Sequence, residues 1–387
     1  GCSSLVARYS YIVLRHSYFA RGVAVPAESA PNAAQPRFDA GKLTRFTAAV
    51  FERVGVRPAD AAIAAEILVA SDLRGIESHG MPRLAAYLGR IKAGAIDLAA
   101  PPTIDRETPT TAAVDGHNGL GLPVAHWAMS LCIRKAREVG VAFVTVRNSN
   151  HFGIAGYYAT MALEHGLAGM AMTNATPLVV PTFARRPLLG TNPVGIAVPA
   201  GQEKPFVADM AMSAVAWGKV EIAQREEHDM PLAWALDEEG HPTADPYKAR
   251  YLQPLGGDRA SSGHKGTALA TFVDILCGPL GGAAISLNVA GSRTIPPQPS
   301  NTGHFFAAWR PDAFRPIEEF QADMDELLSR LRAAEPADGH ERVYVAGDLE
   351  FAAEEDRRRN GIPLHPKVVA ALEQIADETD VPFECEV

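Results

Sequence analysis

Apolar residues recur at helical spacing from Phe38 onward. Leu43, Phe46, Val50 and Phe51 line one face of AGKLTRFTAAVFERVG, and Gly55 ends it. A second helix is expected after Pro58, with Ile63, Ile67 and Leu68 following Asp60. Pro82 announces a third, carried by Leu84, Tyr87, Leu88 and Ile91 and ending at Gly94. After PPTIDRETP the period changes. TAAVDG, VAFVTVR, LAGMAMTNA, NPVGIAVPA, FVADMA and GHFFAAW read as strands, being short apolar runs, the clearest of them rich in β-branched residues. Between them PVAHWAMSLCIRKAREVG, IAGYYATMALEHG, AVAWGKVEIAQRE and the long apolar KGTALATFVDILCGPLGG read as helices. PIEEFQADMDELLSRLRAAE and HPKVVAALEQIADETD close the chain as two more. This is an α/β alternation behind a helical N-terminal part.

Length and composition bound this picture. The 387 residues are 47% hydrophobic and 21% charged, which supports a large core and two or three domains. The pattern divides the chain into an extension (1–36), a helical part (37–110), an α/β cofactor-binding domain (111–300) and a C-terminal part (301–387) expected to pack back on the core. A net charge of -9 argues against a nucleic-acid partner. No segment approaches 18 consecutive apolar residues, so no membrane span is expected. The cysteines Cys2, Cys132, Cys277 and Cys385 lie far apart, without metal-finger spacing, and fit a reducing compartment. A cytoplasmic location is expected. The acid-poor start, with Arg8, Arg15 and Arg21 before the first acid at Glu28, is also the pattern of a transit peptide, and mitochondrial targeting is the alternative.

Chemistry concentrates at a few turns. The nearest approach to a dinucleotide fingerprint, Gly119-Leu-Gly121, lacks its third glycine and meets Pro123, so any nucleotide is bound without the Rossmann turn. DLRGIESHGMPR places Ser78, His79 and Arg83 at a helix start. An imidazole there can exchange a proton, and a guanidinium can hold a carboxylate; Arg74 is an ordinary ion-pair candidate. In VRNSNHFGIAGYYA, His151 follows a strand and precedes a helix, although the Asn and Ser residues before it also read as caps. GTNP brings Thr191, Asn192 and Pro193 before a strand. Asp209 ends another and either caps the next helix or orients a histidine. His264, Lys265 and Gly266 open the long apolar helix, where the lysine could meet phosphate or substrate. The G-x-S-x-G, P-loop and HExxH patterns are absent. None of the key histidines pairs at i, i+4 on a helix, so no metal is expected.

Taken in order, DLRGIESHGMPRLAAYLGRIKAG, RNSNHFGIAGYYA, AMTNATPLVVPTFARRPLLGTNP, DMAMSAVAWGKVEIA, WALDEEGHPTADP and SGHKGTALATFVDILCG closely resemble the malate/L-lactate/L-sulfolactate/ureidoglycolate family of NAD(P)-dependent oxidoreductases. That family is unrelated to the Rossmann-fold lactate and malate dehydrogenases. The resemblance runs from about residue 38 to 375. It implies an α/β, non-Rossmann, L-sulfolactate dehydrogenase-like fold, a homodimer, NAD or NADP as cofactor and a small 2-hydroxy/2-oxo acid as substrate. It further implies His79 and His151 as acid/base candidates, Asp209 as a histidine partner, and Ser78, Arg83, Thr191 and Asn192 at the substrate. Asn174, Pro193, Met210, Ala211, His264, Lys265 and Gly266 would lie at the cofactor. Three departures from the family pattern stand out: Met212 where Thr is common, a shortened 283–301 stretch, and AGDLE (346–350) in place of a PGE-type segment. The alternatives are a cyclic-imine or ureidoglycolate oxidoreductase, a metal-dependent hydrolase or lyase, and a non-catalytic homologue.

Overall fold

The computed structural model describes residues 35–291 and 294–387, so most of the expected N-terminal extension and two residues of the 283–301 stretch lie outside the described residues. Ten helices are named here: α1 (Ala40–Arg53), α2 (Pro58–Leu73), α3 (Leu84–Lys92), α4 (Gly121–Val139), α5 (Ala155–Met161), α6 (Trp217–Glu226), α7 (Gly263–Cys277), α8 (Ile317–Arg332), α9 (Asp348–Asn360) and α10 (Pro366–Thr379). Their ends follow local chemistry. The Asp39 carboxylate accepts from Lys42 N–H at the start of α1, Pro58 opens α2, and Gly140, at φ 94°, ends α4 in a conformation that favours glycine.

Seven strands form the main sheet: β1 (Thr103–Glu107), β2 (Thr111–Asp115), β3 (Val141–Ser149), β4 (Ala168–Thr173), β5 (Val194–Val198), β6 (Phe206–Met210) and β7 (Thr302–Trp309). Their spatial order is β1-β2-β3-β7-β4-β5-β6. Only β2 and β3 run parallel, and α4 makes the crossover between them. The strand from the C-terminal part of the chain therefore lies in the middle of the sheet, antiparallel to both neighbours. Alternate residues of β7 enter two different cores. Phe306 and Ala308 join the core under α4, while Phe305 and Ala307 join the one under α7. A strand covered on both faces reads as a continuous apolar run, as GHFFAAW does.

The first core also gathers α1, α2 and the last helix through Phe46, Ile67, Leu68, Leu372 and Ile375. Residues 37–38 pair with 362–363, tying the two ends of the described chain together. Met212, one of the departures from the family pattern, is buried in the second core beside Met172, Val194 and Val220. The AGDLE departure starts α9, where Asp348 takes a two-pronged ion pair from Arg332. No helix among the described residues is long and apolar enough to cross a membrane.

Candidate active site

The SHG loop is built on a buried carboxylic acid. Asp72, in the last turn of α2, accepts from Met81 N–H at 2.7 Å. Gly80 lies so close that a Cβ there would sit 2.1 Å from the Asp72 carboxyl, so the turn tolerates only glycine. Burial pushes the Asp72 pKa up to about 8, against the Met81 N–H that lowers it. Arg357 of α9 donates to Asp72 O and to Glu77, closing the loop from outside.

That loop presents Ser78, His79 and Arg83. Ser78 Oγ lies 2.8 Å from His79 Nδ1. Arg83 Nε donates to Ser78 O at 2.5 Å, and its Nη2 donates to Glu221 of α6 at 3.1 Å. One turn along α3, Tyr87 points at the second histidine, with its hydroxyl 2.6 Å from His151 Nδ1. Gly153 N–H also points at that nitrogen. The buried Tyr87 hydroxyl has no other acceptor among the described residues, so it donates to Nδ1, and the neutral His151 ring carries its hydrogen on Nε2.

His151 sits at the β3–α5 junction. Asn150 beside it is buried. Its amide donates to the carbonyls of Asn118 and Gly119, and its oxygen accepts from Arg90. Arg90 also holds Gly291 O, Gln298 O and Ser300 Oγ, so the divergent 283–301 stretch is tied to the histidine loop. The two imidazoles face each other with ring centroids 5.6 Å apart and planes 17° off parallel. Burial and then the Arg83 charge lower the His79 pKa to about 4. His151 is pushed well below the ordinary histidine value by burial, by its neighbour His79 and by Arg83, although the residue keeps exposed surface. Both rings are neutral at physiological pH.

Behind them lies a third histidine that the strand pattern alone did not mark as functional. His304 on β7 is fully buried and stacks on Phe152 at 4.8 Å. Its ring bridges Ser149 Oγ on β3 and Thr173 Oγ1 on β4, each at 2.8 Å. Thr173 hydroxyl donates to backbone carbonyls, so His304 Nδ1–H donates to Thr173 and Nε2 accepts from Ser149. Burial lowers its pKa to about 3, which keeps it neutral.

The remaining expected residues fall into two groups. Asn174 and Asn192 are buried amides with both ends used by the protein. Asn174 spans Ala284 O and Gly303 N–H, and Asn192 spans Ala270 O and Ala175 N–H. Each amide is thereby fixed in its loop. Asp209 bonds Gly156 N–H at 2.7 Å in the first turn of α5 and forms no hydrogen bond to His79 or His151 among the described residues. Asp209 therefore holds the start of the preceding helix α5 and does not cap the next one, α6, which has no side-chain cap among the described residues, and burial lifts the Asp209 pKa to about 6. Gly266 packs on Leu255, where a Cβ would meet the carbonyl at 2.1 Å. Leu255 N–H in turn bonds Met212 O, and Met212 N–H bonds Thr191 O, so Thr191, the loop after β6 and the start of α7 form one connected strip. Pro193, Met210 and Ala211 border that strip with partial or full exposure, and Lys265 is exposed on it. His264 Nδ1 accepts from Arg259 at 3.0 Å.

The chemistry of this strip suits a phosphate-bearing cofactor. Lys265 and Arg259 stand at the N-terminus of the 15-residue α7, where helix dipole and cations both favour an anion. Exposed Met210 offers an apolar surface to a flat ring. Among the described residues no three His, Cys, Asp or Glu side chains converge as a metal site.

Known proteins place this arrangement. Residues 38–373 match the model of the malate/L-lactate dehydrogenase family. A malate dehydrogenase of Pyrococcus abyssi is 41% identical over 349 residues, 89% of this chain and 95% of its own length. The solved malate dehydrogenase of Pyrococcus horikoshii OT3 superposes with a TM-score of 0.83 at 38% identity, covering 90% of this chain and 97% of that one. The sulfolactate dehydrogenase of Methanocaldococcus jannaschii superposes with a TM-score of 0.81 at 35% identity, covering 89% and 98%. The stacked histidines, the arginine beside them and the mixed sheet thus occur in a chain that belongs to the malate/L-lactate dehydrogenase family.

Proposed function

We propose that this protein moves a hydride between a nicotinamide cofactor, NAD or NADP, and C2 of a small 2-hydroxy/2-oxo acid, with malate the first candidate. The observation that carries the reading is Arg83 beside the stacked His79–His151 pair. A guanidinium that holds a carboxylate puts the adjacent carbon within reach of both imidazoles. The reaction needs a hydrogen-bond donor on the C2 oxygen and a base for the hydroxyl proton. His151, held by Tyr87 with its hydrogen on Nε2, is the donor. The His79 tautomer that donates Nδ1–H to Ser78 Oγ would leave its Nε2 lone pair as the base. In the oxidation direction the C–H bond at C2 breaks with both electrons leaving as hydride, the O–H proton goes to His79, and the carbonyl forms. A nicotinamide held beside this pair would supply the hydride acceptor. General acid–base help of this kind is worth roughly 10²–10⁴-fold.

The test is oxidation of NADH and of NADPH against oxaloacetate, pyruvate and a cyclic imine acid, repeated for His79→Ala and His151→Ala. His79→Ala is expected to lower the chemical step by about 100-fold or more. If neither change costs at least about tenfold, this division of roles is wrong.

A second copy of the chain is the expected partner. The outer face of α7 exposes Leu269, Phe272 and Ile275 at half their surface, while its inner face is buried through Ala270, Val273 and Cys277. An apolar stripe of this kind supports association. Sedimentation of the full chain should give a dimer, and Phe272→Glu should give a monomer.

A further inference from the structure

We infer that Glu221 is a resident carboxylate that competes with the substrate carboxylate for Arg83, and that Arg225, one helical turn further along α6, receives Glu221 when the substrate displaces it. This rests on the carboxylate role proposed for Arg83.

Four observations place the pieces. Arg83 Nη2 donates to Glu221 Oε2 at 3.1 Å, so a ligand carboxylate reaching that fork meets a carboxylate already there. The first turn of α6 is pressed against the SHG loop, because a Cβ on Gly218 would lie 2.4 Å from Ser78 Cβ. Glu221, three residues on, is therefore part of the site wall. Neither side chain of the pair is deeply enclosed, with 28% and 44% exposure, so the contact can break at modest cost. Finally, Arg225 stands at i+4 from Glu221, and its Nε is buried without a hydrogen-bond partner among the described residues.

That last atom decides where Glu221 goes. A buried guanidinium N–H lacking an acceptor is costly, and Glu221 stands one turn back on the same helix, at the i, i+4 spacing that lets the two side chains meet. Glu before Arg at i, i+4 is also the favourable order along a helix dipole. A rotation about the Glu221 side-chain bonds moves its carboxylate from one guanidinium to the other, while the α6 backbone stays where Gly218 holds it. Charge is conserved throughout, since each carboxylate ends on a guanidinium. The exchange sets affinity: the site binds a carboxylate by the difference between two ion pairs rather than by Arg83 alone.

The experiment is a double-mutant cycle read by calorimetric titration of the full chain with oxalate, a dicarboxylate that does not turn over. Glu221→Gln removes the competitor, and oxalate should bind about 3–10-fold tighter. Arg225→Gln removes the receiving group, and oxalate should bind about 3–10-fold weaker. In the Glu221→Gln background, Arg225→Gln should change nothing, because no carboxylate remains to be received. Arg225→Lys keeps a cation for Glu221 and should stay near wild type, which separates lost pairing from a damaged fold. Additive effects, a neutral Arg225→Gln in the wild-type background, or no oxalate binding to any variant overturns the exchange. Failure to reduce any 2-oxo acid overturns the dehydrogenase reading instead, and the oxalate cycle reads independently of it.

Discussion

Acid should stop this enzyme far later than it stops an ordinary histidine base. The reading requires a neutral imidazole to accept the hydroxyl proton, and the structure lowers both candidates. For His79 the pKa is about 4, set by burial first and by the Arg83 charge second. At about pH 5 such a ring is still about nine-tenths neutral, whereas one at the usual value of about 6.5 is only about 3% neutral. Lowering the pH from about 7 to about 5 should therefore cost little in kcat/KM, where an ordinary imidazole would cost about 25-fold. His151 does not change this conclusion, since its pKa moves in the same direction. The assay follows reduced nicotinamide formation from the 2-hydroxy acid at low substrate, corrected for the substrate's own ionisation. Circular dichroism at each pH confirms that the fold survives. An acidic limb with its midpoint near 6.5 would refute the argument, for it would mean that neither the enclosure nor Arg83 acts on the base. Arg83→Met should move the limb upward as well as raise KM, because it removes a charge that disfavours the imidazolium.

Other changes test the supporting parts. Tyr87→Phe removes the donor to His151 Nδ1 but keeps the ring, so kcat should fall about tenfold with little change in KM, and stability should fall by about 1 kcal/mol; an unchanged kcat would show that the tyrosine does not set the tautomer. Asp72→Asn should become steadily more stable relative to wild type as pH rises from about 4 to about 8. The unfolded carboxyl ionises at the low end of that window, while the folded one resists until the high end. Thermal midpoints of the two proteins across the window decide it, and a constant difference would show that the acid is not held neutral. Lys265→Ala should raise the KM for the nicotinamide cofactor about tenfold and leave the thermal midpoint alone, as expected for an exposed cation facing phosphate; equal cofactor KM values would remove the α7 strip from the cofactor site.

Much of the frame was legible because its elements carry their own punctuation. α1, α2 and α4 have apolar faces, proline starts and glycine stops, and β7 is apolar without interruption. Elements stabilised from elsewhere were silent. β1 reads TIDRE with every residue exposed, so no alternation marked it. α9 has no buried residue and is held by charge, with Arg358 on Glu354 and Arg359 on Glu355 inside the helix and Arg74 and Arg37 reaching in from outside. The site divides the same way. His79, Arg83 and His151 announced themselves because their chemistry sits at turns with glycine and proline around it. Tyr87 looked like a core residue and is one, yet its position four residues after Arg83, which caps the same helix, was a usable signal. Glu221 lies 138 residues from Arg83, and His304 lies 155 and 131 residues from Ser149 and Thr173, distances that no local pattern spans. Asn174 and Asn192 also sit at strand ends, and what no local pattern revealed is that both are buried with each amide bonded at both ends.

The position of β7 governs how this protein can be made. Within the sheet, β1-β2-β3 and β4-β5-β6 are two halves joined in one ladder only through a strand starting at residue 302. Until that strand leaves the ribosome, β3 and β4 each present an open edge. Contacts this distant in sequence slow folding, and open apolar edges invite association with other chains. A nascent chain stalled before Thr302 should depend on chaperones, and a truncation there should aggregate rather than yield a smaller enzyme.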